Sequence, residues 1–452
     1  MTQTRIEINP QAVPALPTSP SPSAPPATHS RRLMAGWART RRAADFAAHQ
    51  REYGPLPLSA YSGREGRTRL VKEVEAAGLR GRGGAGFPTA RKLRDVATAG
   101  HRPIVLVNGC DGEPASDKDH ALLDVARHLV IDGAVLAAHA VGASEIILCV
   151  HRDSDLIDRL SRGLAQRPSG EVPVRLVPVP ARYVSSEASA LVNFINTGDA
   201  RPTSKSPRVS RRGVHGRPTL VDNAETLAHL ALIARYGADW FRACGTAESP
   251  GTALFTISGA VSRPGVYEAE LGTRMGQVLN LAGQPSRRVS AVLVGGYAGS
   301  WLPLPFAADV PLDHAGLRSV GASFGVGSLW VLPATACGLA ETAQLLRYLA
   351  GESAAQCGPC MFGLPAIADD VERLVLGARD APDTLRRLRG RLPVIDGRGA
   401  CAHPDGAVRL AATALRAFEQ DLRAHVAGHP CPGARRAHLP MRPREHRTGD
   451  WS

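Results

Sequence analysis

In the first 240 residues, segments with a helical spacing of apolar positions alternate with short apolar runs that are typical of buried strands. A helical segment at 88–97 precedes the first run, 103–107, and a longer helical segment at 121–141 precedes the next run, 145–150. Another strand-like run follows at 172–179. This alternation predicts a parallel, Rossmann-like α/β sheet.

The pattern changes after Trp240. Two short β runs meet at Arg263-Pro264-Gly265, and a helix and a strand at 291–295 follow. This order indicates a β-grasp domain, although a small α+β spacer would show the same pattern. From Thr335 onward the pattern is helical, and its last segment spans 406–427. We expect a helical bundle there, with cysteines in its loops that suit a buried cluster.

The chain therefore divides into five expected segments. Its first residues carry almost no large apolar side chains, so they cannot offset the entropy of ordering. The expected segments are a disordered Pro/Ser/Ala-rich tail at 1–35, an α/β domain at 36–245, a β-grasp domain at 250–325, a helical domain at 330–430 and a flexible basic tail at 431–452.

The net charge of +13 is weak evidence for a nucleic-acid partner. Arginine supplies nearly all of it, because lysine occurs only at Lys72, Lys92, Lys118 and Lys205. Aromatic residues make up 5% of the chain and the arginines are scattered, whereas nucleic-acid-binding domains gather basic charge on one face. Binding to nucleic acid is therefore the least favoured interpretation, and we expect no such partner.

Eight cysteines are too few for a disulfide scaffold in a chain of 452 residues, and several lie late in the sequence. This usage suits thiolate ligation in a reducing compartment and predicts a cytoplasmic location. The first residues lack the apolar centre of a signal peptide, and no later stretch is as long and apolar as a membrane helix. We expect no direct membrane insertion, although the protein could dock onto a membrane partner.

The segment 78–92, GLRGRGGAGFPTARK, has five glycines in nine residues, followed by Pro88. Glycine lets the backbone approach a ligand closely, and the start of the helix that follows presents unpaired N–H groups. Lys92 adds a cation. The segment predicts a phosphate-binding loop, and a glycine-rich surface turn is the alternative.

Three further motifs, in the same order, complete a resemblance to a known family. They are VNGCDGEPASDKDH at 107–120, GRPTLVDNAETLAHL at 216–230, and CGPC at 357–360 with Cys401 about forty residues later. With the glycine loop, they resemble the NADH-binding flavoprotein subunit of respiratory complex I. This 51 kDa or F-type family is shared with NAD-linked hydrogenases and formate dehydrogenases. The resemblance covers about 55–420. It implies a Rossmann-like FMN domain, a soluble-ligand-binding β-grasp (SLBB-like) domain and a helical iron–sulfur domain.

The resemblance assigns cofactor-binding roles to individual residues. The FMN phosphate is expected at Gly81, Gly83, Gly84 and Lys92, with Arg82 in the same loop. The ring and ribityl chain are expected at Asn108, Asp222, Asn223 and Thr226. Asp111 and Glu113 match two carboxylates that face the nucleotide, and Phe87, Tyr183 and Glu187 complete the set. As alternatives, Asp222 and Asn223 would form an ordinary turn and helix cap, and Asp111 and Glu113 would be solvated loop acids.

The chain departs from the family pattern around the nucleotide. Ser186 and Ala188 stand where the family has Gly and Glu, and Cys110, which we expect to be a buried thiol, replaces an Asp. Asp95 and Arg208 occupy positions where the family has aromatic rings. Nicotinamide binding is therefore the weakest inherited feature. Arg208, with Arg211 and Arg212, could grip a phosphate instead, or these arginines could simply be solvated.

The cluster motif has also lost a cysteine. Cys357, Cys360 and Cys401 match family ligands, but Ala354 stands where the first cysteine is expected. An iron–sulfur cluster (4Fe-4S or 3Fe-4S) is favoured over a zinc or dithiol motif. Cys337 matches a position that does not bind metal. Candidates for a fourth ligand are Cys431, His403 and Ser353.

Together these observations predict an electron-transferring flavoprotein that takes electrons from NADH or NADPH to FMN and then to an iron–sulfur cluster. We expect no catalytic side chain beyond the cofactors. Its partners are expected to be other oxidoreductase subunits or a ferredoxin-like protein. The alternative is an FMN and iron–sulfur electron relay that no longer binds a nicotinamide nucleotide and receives electrons from a ferredoxin or another protein.

Overall fold

The structure is a computed structural model that describes residues 32–100, 102–204, 207–285, 288–435, 439 and 451–452. Most of the two expected tails lies outside the described residues. Arg32, Leu33 and Met34, which the expected N-terminal tail included, are buried. The Arg32 guanidinium donates hydrogen bonds to the backbone carbonyl oxygens of Trp240 at 2.7 Å and Phe241 at 2.9 Å. These hydrogen bonds hold the segment 32–34 against the rest of the protein, which explains the burial of its three residues.

The N-terminal domain is an α/β domain with a four-stranded sheet. Its elements are α1 (Ala35–Thr40), α2 (Phe46–Tyr53), α3 (Gly63–Ala77), α4 (Thr89–Ala97), β1 (Ile104–Asn108), α5 (Lys118–Val125), α6 (Arg127–Val141), β2 (Ile146–His151), α7 (Leu156–Ala165), β3 (Val174–Val179), α8 (Ala188–Thr197), β4 (Thr219–Asn223) and α9 (Ala224–Arg242). The strand order is β3-β2-β1-β4 and all pairs are parallel. The predicted Rossmann-like sheet is confirmed.

The helix that we predicted at 121–141 is instead two helices, α5 and α6. The break lies at Ala126, whose φ of −135° and ψ of 37° are not helical. Alanine favours helices, so the local sequence does not encode this break. The Arg127 guanidinium donates hydrogen bonds to the backbone carbonyl oxygens of Ala44 at 3.3 Å and Asp124 at 2.5 Å, and these contacts lie at the bend.

The second domain is a mixed sheet with two short helices. Its elements are β5 (Thr252–Gly259), β6 (Gly265–Glu270), α10 (Met275–Leu281), β7 (Val289–Val294), β8 (Ser300–Pro303), α11 (His314–Ser319) and β9 (Ser328–Pro333). The strand order is β6-β5-β9-β7-β8, in which β5 and β9 are parallel and the other pairs are antiparallel. The first and last strands thus lie side by side, as expected for a β-grasp domain.

The third domain is helical. Its elements are α12 (Gly338–Gly351), α13 (Leu364–Val375), α14 (Ala381–Ile395), α15 (His403–Ala417) and α16 (Glu419–Val426), with a π-helical turn at Pro359–Gly363. The helix predicted at 406–427 is broken at Phe418, whose φ is −113°. The Phe418 ring packs against Trp301 of β8 at a centroid distance of 5.2 Å, so contact with the β-grasp domain accompanies the break. Within the described residues, no helix is long and apolar enough to cross a membrane.

Candidate functional site

Two neighbouring cavities lie at the carboxyl edge of the parallel sheet, where α/β proteins bind ligands. The ends of β1 and β4 meet there, because Asn108 pairs with Asn223. The smaller cavity has a volume of about 200 Å³ and the larger one about 790 Å³. The consecutive residues Ser186 and Glu187 line the smaller and the larger cavity, respectively, so the two are adjacent.

The walls of the smaller cavity come from both the α/β domain and the β-grasp domain. Its lining includes Gly83, Asn108, Asp111, Glu113, Lys118, Asp119, Tyr183, Ser186, Asn223, Gly295 and Val326. The larger cavity connects three predicted features, because Phe87 and Lys92 of the glycine-loop region, Arg208, and Cys401 all line it.

The glycine loop is held by its own backbone. Gly81 N–H donates to the carbonyl oxygen of Phe87 at 2.9 Å, and Gly84 has a φ of 115°, which a residue with a Cβ rarely adopts. Gly83 lines the smaller cavity, and a Cβ placed on it would lie 3.8 Å from Cβ of Asn223. The loop thus brings its backbone close to the end of β4, as a phosphate-binding loop before α4 requires.

Lys92 is paired with Asp222. Its ammonium group donates to Oδ1 of Asp222 at 2.5 Å and to the carbonyl oxygen of Val221 at 2.8 Å. An ammonium group has three donors, so one is left for a ligand phosphate. Burial raises the pKa of Asp222, and Lys92 opposes this rise. Oδ2 of Asp222 is buried and has no hydrogen-bond partner in the described structure. Asp222 itself lines neither cavity, whereas its partner Lys92 lines the larger one. A ligand hydroxyl or ring N–H that reached this oxygen would satisfy it, so these residues fit a flavin.

The structure turns Arg82 and Thr226 away from both cavities. The Arg82 guanidinium donates to the carbonyl oxygen of Thr252 at 3.1 Å and lies 4.0 Å from Glu225. Thr226 is fully buried, and its hydroxyl accepts a hydrogen bond from the Arg82 N–H at 2.9 Å. Both residues therefore position the loop, and neither lines the cavity where cofactor contacts were expected. Asn223 lines the cavity and also caps α9, since its Oδ1 accepts the N–H of Thr226 at 3.2 Å.

Asp111 and Glu113 are not solvated loop acids. Burial raises the pKa of Glu113 to about 7, although hydrogen bonds from Tyr297, Ala115 and Tyr183 oppose the rise. The Tyr183 hydroxyl donates to Oε2 of Glu113 at 2.9 Å. Burial, reinforced by the nearby Asp119, also raises the pKa of Asp111 to about 7. These carboxyl groups can therefore hold a proton near neutral pH.

Several further lining residues were missed in the sequence. Lys118 is 1% exposed and its ammonium nitrogen lies 2.9 Å from both Asp119 and Glu225. Burial lowers the pKa of Lys118, but these two carboxylates outweigh burial and raise it above its ordinary value. The signal for Lys118 was present, because it is one of only four lysines in an arginine-rich chain. Ser186 was noted in the sequence only as a departure from the family's glycine, and nothing local distinguishes Gly295 of the β-grasp domain.

The remaining predicted residues link the cavities to the helical domain. Asn108 donates through Nδ2 to the carbonyl oxygen of Ser186 at 2.8 Å. Glu187 caps α8 and lines the larger cavity. The Tyr183 ring lies 5.4 Å from His403 and 6.2 Å from Tyr348 of the helical domain, measured between ring centroids. The distance from the smaller cavity, which Tyr183 lines, to the helical domain is therefore short.

The three predicted cluster cysteines come together. Burial, then the neighbouring thiols of Cys357 and Cys401, raise the pKa of the Cys360 thiol to about 12. The three thiols therefore lie near one another, as ligands of one shared cluster must.

Two of the candidate fourth ligands have informative surroundings. Nε2 of His403 lies 2.8 Å from the carbonyl oxygen of Leu349, to which it must donate, and Nδ1 is buried without a hydrogen-bond partner among the described residues. Burial lowers the pKa of His403, which favours the neutral ring and leaves a lone pair on Nδ1. Cys431 instead contacts His425, with its sulfur 3.4 Å from Nε2.

Comparisons with known proteins agree with this geometry. The Nuo51 FMN-binding domain matches residues 74–232, the SLBB domain 254–292, and the NADH-ubiquinone oxidoreductase-F iron-sulfur binding region 340–425. The F-type NADH-quinone oxidoreductase subunit of Mycobacterium tuberculosis is 30% identical over 80% of this chain and 86% of its own length. Its counterpart in Streptomyces coelicolor is 29% identical over 80% of this chain and 84% of its own length.

A solved structure supports the same assignment. The chain superposes on a chain of an NAD+-reducing [NiFe]-hydrogenase in the H2-reduced state with a TM-score of 0.73 and 32% identity. The match covers 79% of this chain and 63% of that chain. The resemblance noted in the sequence is thereby confirmed, and the chain belongs to the family of the F-type subunits of NADH-quinone oxidoreductase.

Proposed function

We propose that this chain receives electrons from NADH or NADPH at a bound FMN and passes them through an iron–sulfur cluster to another subunit of a larger oxidoreductase. One observation carries the proposal: Cys401 lines the same cavity as Phe87 and Lys92. The nucleotide region and the cluster cysteines therefore share a wall. The volume of about 790 Å³ lies within the range of ligand sites.

Bound FMN supplies the ability to accept two electrons together and release them singly. The residues of this chain bind and orient it. The backbone N–H groups of Gly83 and Gly84 and the third donor of Lys92 would hold the terminal phosphate, while the N–H of Gly81 closes the loop on the Phe87 carbonyl. Asn108, Asp222 and Asn223 at the strand ends bind the ring and ribityl chain. Arg82 and Thr226 keep the loop in place.

Glu113 lines the smaller cavity, and its charge can change near neutral pH because burial raises its pKa to about 7. A neutral carboxyl group repels an anionic phosphate ligand less than a carboxylate does. Tyr183 orients this group, because its hydroxyl donates to Oε2.

The larger cavity has a more polar wall than the family pattern implies. Asp95 and Arg208 line it at the positions expected for aromatic rings, and Arg212 lines it as well. Each lost aromatic contact removes about 1 kcal/mol of stacking, whereas a guanidinium pairs well with phosphate. We therefore expect weak NADH binding, and we expect NADPH to compete well. The same residues favour the relay function as the second candidate.

We also place the chain in the cytoplasm, in contact with other oxidoreductase subunits or a ferredoxin-like protein. All eight cysteines are free thiols, which suits a reducing compartment. The relatives in the comparisons are named as subunits of NADH-quinone oxidoreductase, which supports a role within a multisubunit assembly.

Anaerobic purification followed by absorbance spectra tests the proposal. Flavin bleaching by NADPH, and slower bleaching by NADH, is the expected result. Bleaching by a reduced ferredoxin but by neither nucleotide would establish the relay function instead. A protein that binds no flavin after reconstitution with FMN would overturn both. Arg208→Ala should weaken NADPH binding, whereas Arg211→Ala is the matched control, because Arg211 is exposed and lines neither cavity.

A further inference from the structure

A second group of metal-ligand side chains lies at the far end of the helical domain. Cys337 is the N-cap residue of α12, His425 is in the last turn of α16, and Cys431 follows α16. Their ligand atoms all lie within 4.8 Å of one another. None of the three residues belongs to the group Cys357, Cys360 and Cys401 described above. The electron-transfer function proposed above uses none of them.

The distances match a tetrahedral metal ion. Nε2 of His425 lies 3.6 Å from the sulfur of Cys337 and 3.4 Å from the sulfur of Cys431. In a tetrahedron with Zn–S and Zn–N bonds of about 2.3 and 2.05 Å, a nitrogen and a sulfur are about 3.6 Å apart. Two thiolates and one imidazole are also ligand types that zinc prefers over hard oxygen donors.

The orientation of His425 is already set for ligation. Its Nδ1 lies 2.9 Å from the carbonyl oxygen of Val375, to which only a protonated nitrogen can donate. In the neutral ring, the lone pair is therefore on Nε2, which faces the two sulfurs. Nε2 also accepts a hydrogen bond from the Cys431 N–H at 3.2 Å, and zinc on Nε2 would have to replace this hydrogen bond. A backbone carbonyl that fixes the tautomer of a histidine is typical of zinc sites.

We propose that Cys337, His425 and Cys431 bind one zinc ion that clamps the segment after α16 onto the start of α12. Two thiolates neutralise the charge of the ion. Among the described residues, the group has these three members. Beyond Cys431, the N–H of Leu439 donates to Oε2 of Glu341 on α12 at 3.1 Å. Leu439 therefore makes a second contact between the part of the chain after α16 and α12.

Element-specific measurements on the full-length protein test this proposal. After anaerobic purification from zinc-supplemented cells and removal of loosely bound metal, we expect about one zinc ion per chain. Zinc-edge X-ray absorption should show two sulfur neighbours at about 2.3 Å and one nitrogen at about 2.0 Å. A zinc content below one tenth per chain, or a shell of four sulfurs, would overturn the proposal.

Variants separate this site from the cluster. Cys431→Ser should lower zinc affinity at least tenfold in chelator competition, while iron and flavin contents stay unchanged. Cys360→Ser should lower the iron content and keep the zinc. Cys244→Ser is the matched control, since Cys244 is a buried free thiol elsewhere in the chain. Zinc retained in Cys431→Ser but lost in Cys360→Ser would show that zinc occupies the cluster cysteines. If a variant does not fold, the zinc-edge X-ray absorption spectrum of the wild-type protein still tests the proposal.

Discussion

Replacement of Lys92 by alanine separates two roles that the structure gives to one side chain. Lys92 pairs with Asp222, whose side chain is only 2% exposed, and Lys92 is itself 27% exposed. Loss of one partner of a fully buried pair costs about 3 to 5 kcal/mol, and the partial exposure of Lys92 reduces this to about 2 kcal/mol. We expect that loss in the free energy of unfolding of flavin-free protein, measured by urea denaturation.

The same variant should also weaken FMN binding. A hydrogen bond to a charged group contributes about 1.5 to 3 kcal/mol, which corresponds to an increase of the FMN dissociation constant of about 10- to 150-fold. Fluorescence titration of flavin-free protein with FMN measures this constant. Lys72→Ala is the control, because Lys72 is exposed on α3 and lines neither cavity.

A double variant distinguishes a phosphate contact from an indirect effect. In Lys92→Ala/Asp222→Asn, the buried amide needs no cation, so stability should return toward that of Asp222→Asn alone. FMN binding should stay weak, since the phosphate still lacks its cation. Full flavin occupancy in Lys92→Ala would refute the phosphate assignment. Recovery of FMN affinity in the double variant, to the level of Asp222→Asn alone, would show that Lys92 acts only through Asp222.

Three further predictions concern charge, the nucleotide and the cluster. The pKa of Glu113 is raised from 4.5 to about 7 in the folded protein, so its contribution to stability is greatest below pH 4.5 and is lost as the pH rises to about 7. Glu113→Gln should flatten the pH dependence of the urea midpoint across that window; an unchanged slope would contradict the assignment. Arg208→Phe should restore about 1 kcal/mol of stacking and tighten NADH binding about fivefold in equilibrium titrations, whereas equal tightening in Arg211→Phe would point to a nonspecific effect. The wild-type cluster should lose one iron on mild oxidation, and Ala354→Cys should protect that iron and lower the reduction potential, as iron analysis and electron paramagnetic resonance would show. Stable retention of four irons in the wild type, with loss only in His403→Ala, would identify His403 as the fourth ligand.

Much of the fold was predictable from local pattern. The strands β1 and β2 are continuous apolar runs, because a parallel strand is buried on both faces. The positions of the helix breaks at Ala126 and Phe418 were not predictable, since both lie within helical patterns. Long-range contacts accompany these breaks, such as the Phe418 ring against Trp301.

The sequence by itself determined which chemical groups this site contains: the glycine loop, the strand-end polar residues Asn108 and Asn223, and three cysteines. The spacing of the glycines in the loop reflects local backbone requirements, such as the positive φ of Gly84. Only the tertiary structure decided where the side chains point. Arg82 faces Glu225 and not the cavity, because a buried guanidinium must find a carboxylate. Contributions from distant segments, such as Gly295 to the smaller cavity and His425 beside Cys337, depend on packing between domains and helices, which no local pattern encodes.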